Sequence, residues 1–259
     1  MTGILMTLGG IVLLAAILWR RGIWEGVSAD NTRTEHRSVP RDGVQTVDLR
    51  LRLGAGILTM QGGAAGLVDA VFVNNGAELD PEFLYRVADG AAEISIIQPA
   101  GHIVALSPLH AEWNLRCADG FPLTLDMTTG AGTTSIDLST SLVRRLQVRT
   151  GAGQGTMVFP LEHLQKLSMA TGAGRVNLHL TGTPEMPMRG DIRSGVGALL
   201  ILLPKATPTR IHVERGLGAV NAPGFWQNRN DYLNYAPGGT PFVDLTVCVG
   251  MGEVTLQLF

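Results

Sequence analysis

Metal and thiol chemistry have little to work with in this 259-residue sequence. It holds only two cysteines, Cys117 and Cys248, with no Cys-x-x-Cys and no histidine at metal-ligand spacing. No metal centre is expected, and a disulfide has no support, because sequence alone cannot bring two Cα atoms within bonding range. Charged residues are sparse at 16% and the net charge is −2, so the clustered Lys and Arg that nucleic acid requires are missing. Long Ala/Glu/Lys/Leu stretches with a helical period are missing as well, which favours a β-rich chain. Neither a Gly-x-Ser-x-Gly elbow nor a Cys/His/Asn arrangement occurs, and His102, His110, His163, His179 and His212 are scattered. Nothing in this inventory carries catalysis, and no cofactor is expected.

What the chain has instead is glycine, 33 of them, concentrated in seven triplets. These are Gly54-Ala-Gly56, Gly130-Ala-Gly132, Gly151-Ala-Gly153, Gly172-Ala-Gly174, Gly195-Val-Gly197, Gly216-Leu-Gly218 and Gly250-Met-Gly252. First glycines recur at 21 residues from 130 to 151, 151 to 172 and 195 to 216, and at 23 from 172 to 195. A fixed period of this length signals a stack of one supersecondary unit whose copies bury their apolar faces on one another. A dinucleotide loop is excluded, since no triplet is followed by the third glycine of Gly-x-Gly-x-x-Gly.

Aligned on the first glycine, the flanking columns alternate. Three residues before it stand Leu51, Met127, Val148, Met169, Ile192, Val213 and Val247. Five before it stand Leu49, Leu125, Leu146, Leu167, Gly190, Ile211 and Leu245, broken only in the unit with the longer spacing. Four and six beyond it the residues are again mostly apolar, for example Leu58 and Met60, Val176 and Leu178, or Val254 and Leu256. Residues between the columns are mostly polar. Period two on both sides of a glycine bend predicts two short strands per coil, each with one buried face. In-register stacking predicts the first strands in one sheet, the second strands in another, and a core between them. The first residue after each triplet forms no acidic column, so calcium ligation is not expected. Asp126, Asp137, Asp191 and Asp244 lie on different strands or coils and do not form a glycosidase dyad.

The period fails at 64–86, at 100–122 and between Gly218 and Gly250. The last interval contains Phe225-Trp226-Gln227-Asn228-Arg229-Asn230-Asp231-Tyr232-Leu233-Asn234-Tyr235. Trp226, Arg229, Asn230, Tyr232 and Tyr235 are residue types that concentrate binding energy or stack on sugar rings, and form the candidate recognition loop. A loop folded back as a cap over the core would use the same residues. The strand Glu253 to Leu258 ends one residue from the last one given, so no later coil is expected to cover it: either an early segment folds back over it, or its edge pairs with a second copy.

At the other end, residues 3–19 carry no charge and precede Arg20-Arg21, with Ile23 and Trp24 extending the run. Seventeen helical residues span about 26 Å, which predicts one transmembrane helix over 3–24. A cleaved secretory signal would need a positive segment before the apolar run, which Met1-Thr2 does not supply. The flanking arginines place the following domain on the cytoplasmic side of the cell membrane. Residues 25–45 are expected to be a flexible tether and 46–259 the solenoid.

The order of these pieces resembles the toast-rack domain of LiaF-like bacterial membrane proteins. The resemblance rests on LRLGAGILTMQGG at 51–63, WNLRCADGFPLTLDMTTGAGTTSIDLS at 113–139, and the coils LQVRTGAGQGTMVFP and LSMATGAGRVNLHLT. It implies an all-β, β-helix-like stacked-coil solenoid held at the membrane. It also implies a non-enzymatic role through protein contact, with a sensor histidine kinase as the partner in the response to cell-envelope stress. Adhesin-like domains look similar, which makes a cell-surface carbohydrate-binding module the alternative.

Overall fold

A computed structural model describes residues 32–99, 110–236 and 239–259, and the span expected over 3–24 lies outside them. Among the described residues no helix is long and apolar enough to cross a membrane. The described residues from Arg33 onward form one β-solenoid.

Each coil is built as its apolar columns require, with one difference. The regular coils are β2 (Thr46–Gln61), β7 (Leu123–Asp137), β8 (Val143–Pro160), β9 (Lys166–Thr181), β10 (Met188–Leu203), β11 (Thr209–Asn221) and β14 (Val243–Leu258). Two short strands per coil were expected, but each coil is one long strand that runs through its glycine triplet. At the bend, pairing between coils lapses at the first glycine alone: Leu53 pairs Thr129, then Ala55 pairs Ala131 and Gly56 pairs Gly132. The bend is therefore too local to break the ladder, and both arms stay in a single 14-stranded sheet rather than two.

The glycines explain the bend. The second glycine of the triplet lies at φ 130° in Gly132 and 139° in Gly153, where an L side chain is disfavoured. A Cβ on Gly153 would also lie 2.9 Å from the carbonyl carbon of Gly132 in the coil beneath. Coils can thus approach at strand spacing through the corner only where no side chain intervenes. The glycines stack in register as Gly56, Gly132, Gly153, Gly174, Gly197, Gly252 and Gly218.

The inward columns of both arms meet in one hydrophobic core, with Leu51, Met127, Val148, Ile192 and Val247 fully buried. Gly190 interrupts its column because the neighbouring leucines fill the space. A Cβ there would meet Leu245 Cδ2 at 2.6 Å and Leu167 Cβ at 3.1 Å. Outside the core, Arg52 grips Asp126 one coil away with two guanidinium contacts of 2.7 and 3.2 Å.

At the N-terminal end a degenerate coil covers β2. Strand β5 (Ala91–Ile97) pairs the first arm of β2 and β6 (Ala111–Cys117) pairs the second, both parallel. Antiparallel strands then close the ends of the arms: β4 (Glu82–Ala88) on β5, and β3 (Val68–Asn74) followed by β1 (Arg33–Val39) on β6. Trp113 and Phe72 plug this end, ring edge to face at 5.4 Å. The presence of β1 corrects the expected tether at 25–45. Its polar alternation reads as linker because an edge strand covers little apolar surface, yet seven residues pair β3 without a break.

The C-terminal end departs further from expectation. Strand β14 is not an edge: it lies between β10 and β11, parallel to both. The last coil of the stack is β11, so Val220 and Ala222, expected in the core columns, are only partly buried. A short hairpin, β12 (Trp226–Asn228) and β13 (Asp231–Leu233), extends the first arm of β11.

Candidate functional site

Two surface features stand out at the C-terminal end, one on the corner ridge and one on the outer face of the first arm. The ridge is formed by the middle residues of the triplets, which point outward at every bend. Four coils carry alanine there, Ala55, Ala131, Ala152 and Ala173. The next three in stacking order carry Val196, Met251 and Leu217, paired directly across the ladder. They are 50%, 49% and 74% exposed. They form a contiguous exposed apolar run on a ridge otherwise lined by alanine. The sequence carried this signal in the central letter of each triplet, but spatial order was needed to see it, because β14 places Met251 between the other two.

The outer face is built by the hairpin. Trp226 pairs Leu233, which pairs Arg210, and Asn228 pairs Asp231, which pairs His212. Residues paired across strands share a face, so Trp226, Leu233 and Arg210 lie in one row and Asn228, Asp231 and His212 in the next. Trp226 is 66% exposed. Arg210 is held by Asp244 through two bonds of 2.8 and 2.7 Å, and those bonds, with the nearby Asp231 and Tyr235, raise its already high basicity. His212 Nδ1 lies 2.7 Å from Asp231 Oδ1.

The sequence grouped Trp226, Arg229, Asn230, Tyr232 and Tyr235, and the structure separates them. Tyr232 is buried and joins the core above Ile211, as a cap residue would. Arg229 and Asn230 form the exposed two-residue hairpin turn, with Arg229 at φ 55°. Tyr235 is partly buried and lies near Arg210. Asn234, not singled out from the sequence, anchors the insert: it accepts from Thr209 N at 2.7 Å and donates to Thr207 O at 2.8 Å. The fourteen triplet glycines all lie on the corner ridge.

An open depression of about 480 Å³ beside the ridge is lined by Arg193, Glu214, Arg215 and Cys248. Burial, then a 3.3 Å contact with Glu214, pushes the Cys248 thiol up, away from the reactive thiolate. Among the described residues no group of His, Cys, Asp and Glu could hold a metal ion.

These observations define a parallel, in-register β-solenoid with a glycine corner and a capped end. The family model described as the N-terminal domain of toast_rack, DUF2154, matches residues 28–162 and 145–202, which is more than half of the chain. The chain belongs to that toast-rack family. No curated protein sequence matches it. Among solved structures it is similar to a candidate cell adhesion protein from Clostridium sporogenes, with 24% identity and a TM-score of 0.63 over 88% of this chain and 100% of that one. A candidate adhesin from Bacteroides fragilis matches more distantly, with 13% identity and a TM-score of 0.37 over 89% of this chain and 100% of that one. The first likeness shows a shared fold.

Proposed function

We propose that this protein is a non-enzymatic, membrane-anchored toast-rack solenoid that works by contact with another protein, regulating or sensing the state of the cell envelope. The observation that carries the reading is the apolar run of Val196, Met251 and Leu217 on a rigid ridge. A partner is offered a preformed surface, so binding costs little ordering of the solenoid. The resemblance to LiaF-like proteins is the ground for an envelope role with a sensor kinase as partner, and Arg20-Arg21 after the apolar run are the ground for a single span with the solenoid on the cytoplasmic side. Deleting the gene and restoring it with the Leu217→Glu variant tests this in cells challenged with a cell-wall antibiotic. Loss of the stress response in both strains is expected, with the variant folded and at normal abundance. A deletion strain that responds like its parent would overturn the reading. Protease added to intact cells is expected to leave the domain whole, and its digestion would overturn the cytoplasmic placement.

A second reading is a carbohydrate-binding surface module of adhesin type. Trp226 favours it: an exposed indole in one row with Arg210 and Leu233 offers an apolar platform beside hydrogen-bonding groups, as sugar faces require. The candidate cell adhesion protein from Clostridium sporogenes gives it some support. Glycan binding that disappears in Trp226→Ala is its expected signature, and absence of binding to any glycan sinks it.

A further inference from the structure

Among the described residues four strand edges of the sheet have no neighbour: β1, β4, β12 and the second arm of β11. Three are defended against pairing. Edge β1 carries Arg33, Glu35, His36 and Arg37 within seven residues, β12 is three residues long, and the second arm of β11 is interrupted by Gly216 and Gly218. Edge β4 is not. Its seven residues, Glu82-Phe83-Leu84-Tyr85-Arg86-Val87-Ala88, contain no proline or glycine and pair β5 without a bulge. Leu84, Tyr85 and Val87 are 60%, 40% and 38% exposed.

The exposure has a structural origin. Phe83, Tyr85 and Val87 pair Ile96, Ile94 and Ala92, which are buried, so they stand on the core side of the sheet. Phe83 packs on the core, 6.4 Å from Phe72. The core face therefore continues onto β4 and stops there with its last row uncovered.

We infer that β4 pairs antiparallel with β4 of a second copy of this chain, about a two-fold axis through Leu84. The sequence of the strand is self-complementary in that register alone. Residue 82 then faces residue 86 of the other copy, 83 faces 85, and 84 faces 84. On the outer face Glu82 meets Arg86 on both sides of a Leu84–Leu84 contact. On the core face Phe83 meets Tyr85 twice, extending the Phe72 cluster across the axis. Shifting the axis to Tyr85 would set Glu82 against Ala88 and Arg86 against Leu84, and both ion pairs would be lost. Within its own chain Arg86 reaches Glu93 at 2.8 Å, so a partner's Glu82 adds a second carboxylate to a guanidinium already oriented outward. A dimer of this kind joins two sheets end to end, with the two ridges pointing away from the new interface along each solenoid. The pairing is independent of what the ridge contacts.

Register-specific disulfide trapping tests the proposal on the full chain, with Cys248→Ser as background; Cys117 is buried and can be kept. Leu84→Cys faces itself across the axis and is expected to form a covalent dimer on mild oxidation. Arg86→Cys faces residue 82, so its own copy lies about 13 Å away along the strand at ~3.3 Å per residue, beyond disulfide reach. It is expected to stay monomeric alone and to cross-link when mixed with Glu82→Cys. All of these positions are exposed or at the edge, and far-ultraviolet circular dichroism checks that each variant is folded. Glu82→Arg sets like charges at both ion-pair positions and is expected to weaken the dimer about tenfold, with Glu82→Arg/Arg86→Glu restoring it. A full chain that sediments as a monomer at tens of micromolar overturns the proposal. So does cross-linking of Arg86→Cys alone that equals that of Leu84→Cys.

Discussion

Gly153 and Gly155 lie two residues apart in the same coil, and replacing each by alanine is expected to have opposite effects. Gly153 is the second glycine of its triplet, at φ 139°. A Cβ there would fall on the carbonyl oxygen of Gly132, far inside the 3.0 Å limit that real Cβ atoms respect, and 2.9 Å from its carbonyl carbon. The obstacle is backbone locked in a ladder on both sides, so it cannot swing aside. A backbone held in a disfavoured region costs about 1–3 kcal/mol, and forced overpacking about 1–3 kcal/mol more. Gly153→Ala should therefore lose roughly 2–6 kcal/mol, a large share of the ~5–15 kcal/mol that holds a typical domain together. At about 2–4 °C per kcal/mol for a chain of this size, the melting temperature should fall by roughly 4–24 °C. Gly155, by contrast, is buried in the inward column beside a void of about 10 Å³. A Cβ there meets only Met157 Cε at 3.2 Å and Val176 Cγ2 at 3.6 Å, the first being the free end of a flexible side chain. Reduced freedom of the unfolded chain contributes about 0.4–1 kcal/mol, and the added buried methyl contributes as well. Gly155→Ala should melt at or slightly above the parent. Thermal melts by circular dichroism, with urea unfolding as a check, read both. Two variants within about 1 kcal/mol of each other would refute the account of the corner.

Three further outcomes follow from single contacts. Burial pushes the Asp126 carboxyl up, but the hydrogen bonds and charge of Arg52, with Arg149 and Arg50, outweigh it and hold the group below its ordinary range. Such a carboxylate stabilises the fold above the unfolded-state value of about 3.9, and the contribution is lost as pH falls through the lower folded value. Asp126→Asn should cost about 1 kcal/mol at pH 7, and the melting curves of variant and parent should converge towards pH 2–3; a gap that persists there would refute the pairing. In a thiol titration of the folded chain at pH 8, Cys117 should not react, because burial pushes its thiol up to about 12, and unfolding should release it; reaction of both thiols at once would contradict the burial. Asn234→Ala removes the two bonds that tie the insert to Thr209 and Thr207 and should cost about 1–3 kcal/mol while opening residues 222–242 to limited proteolysis. Unchanged cleavage would show that the cap is held elsewhere.

The core was legible because it is written twice, in the apolar columns and in the glycines that align them. Leu51, Met127 and Val148 are buried as their spacing requires, since alternation on a strand assigns faces without knowledge of neighbours. Which coil neighbours which is not encoded in the period. Any coil in register fits any other, and so the place of β14 between β10 and β11 could not be read from residues that repeat. Gly190 looked like a defect in its column for the same reason: the leucines that fill its space, Leu167 and Leu245, belong to the two coils beside it, and only the stacking order shows that Leu245 is one of them. The recognition loop was half legible. Aromatic and amide residues marked 225–235 as special, but alternation within a three-residue strand sends Tyr232 inward and leaves Trp226 in the outer row. The edge role of β1 was hidden because a strand with one partner and little apolar surface has the composition of a linker.

The long interval between Gly218 and Gly250 carries the chain from β11 back to β14, which lies between β10 and β11. Successive coils such as β9 and β10 are joined by a short turn, Gly182 to Pro187, that lifts the chain by one step of the stack. From the end of β11 at Asn221 the chain must instead return past β11 itself and enter the ladder on its inner side at Val243. The connection, residues 222–242, is long, and a long connection needs its own anchors. Tyr232 in the core and Asn234 on the backbone of Thr207 and Thr209 supply them, and the β12–β13 hairpin pairs Arg210–His212 on the first arm of β11. β10 and β11 do not pair with each other, and the long ladder of β11 is made with β14. Cap, hairpin and last two coils thus form one unit at the C-terminal end, and that unit holds the ridge residues Met251 and Leu217 and the exposed Trp226, with Val196 on β10 beside Met251. Specific contact at this end needs such rigidity, because each surface residue is then presented without an ordering cost at the moment of binding.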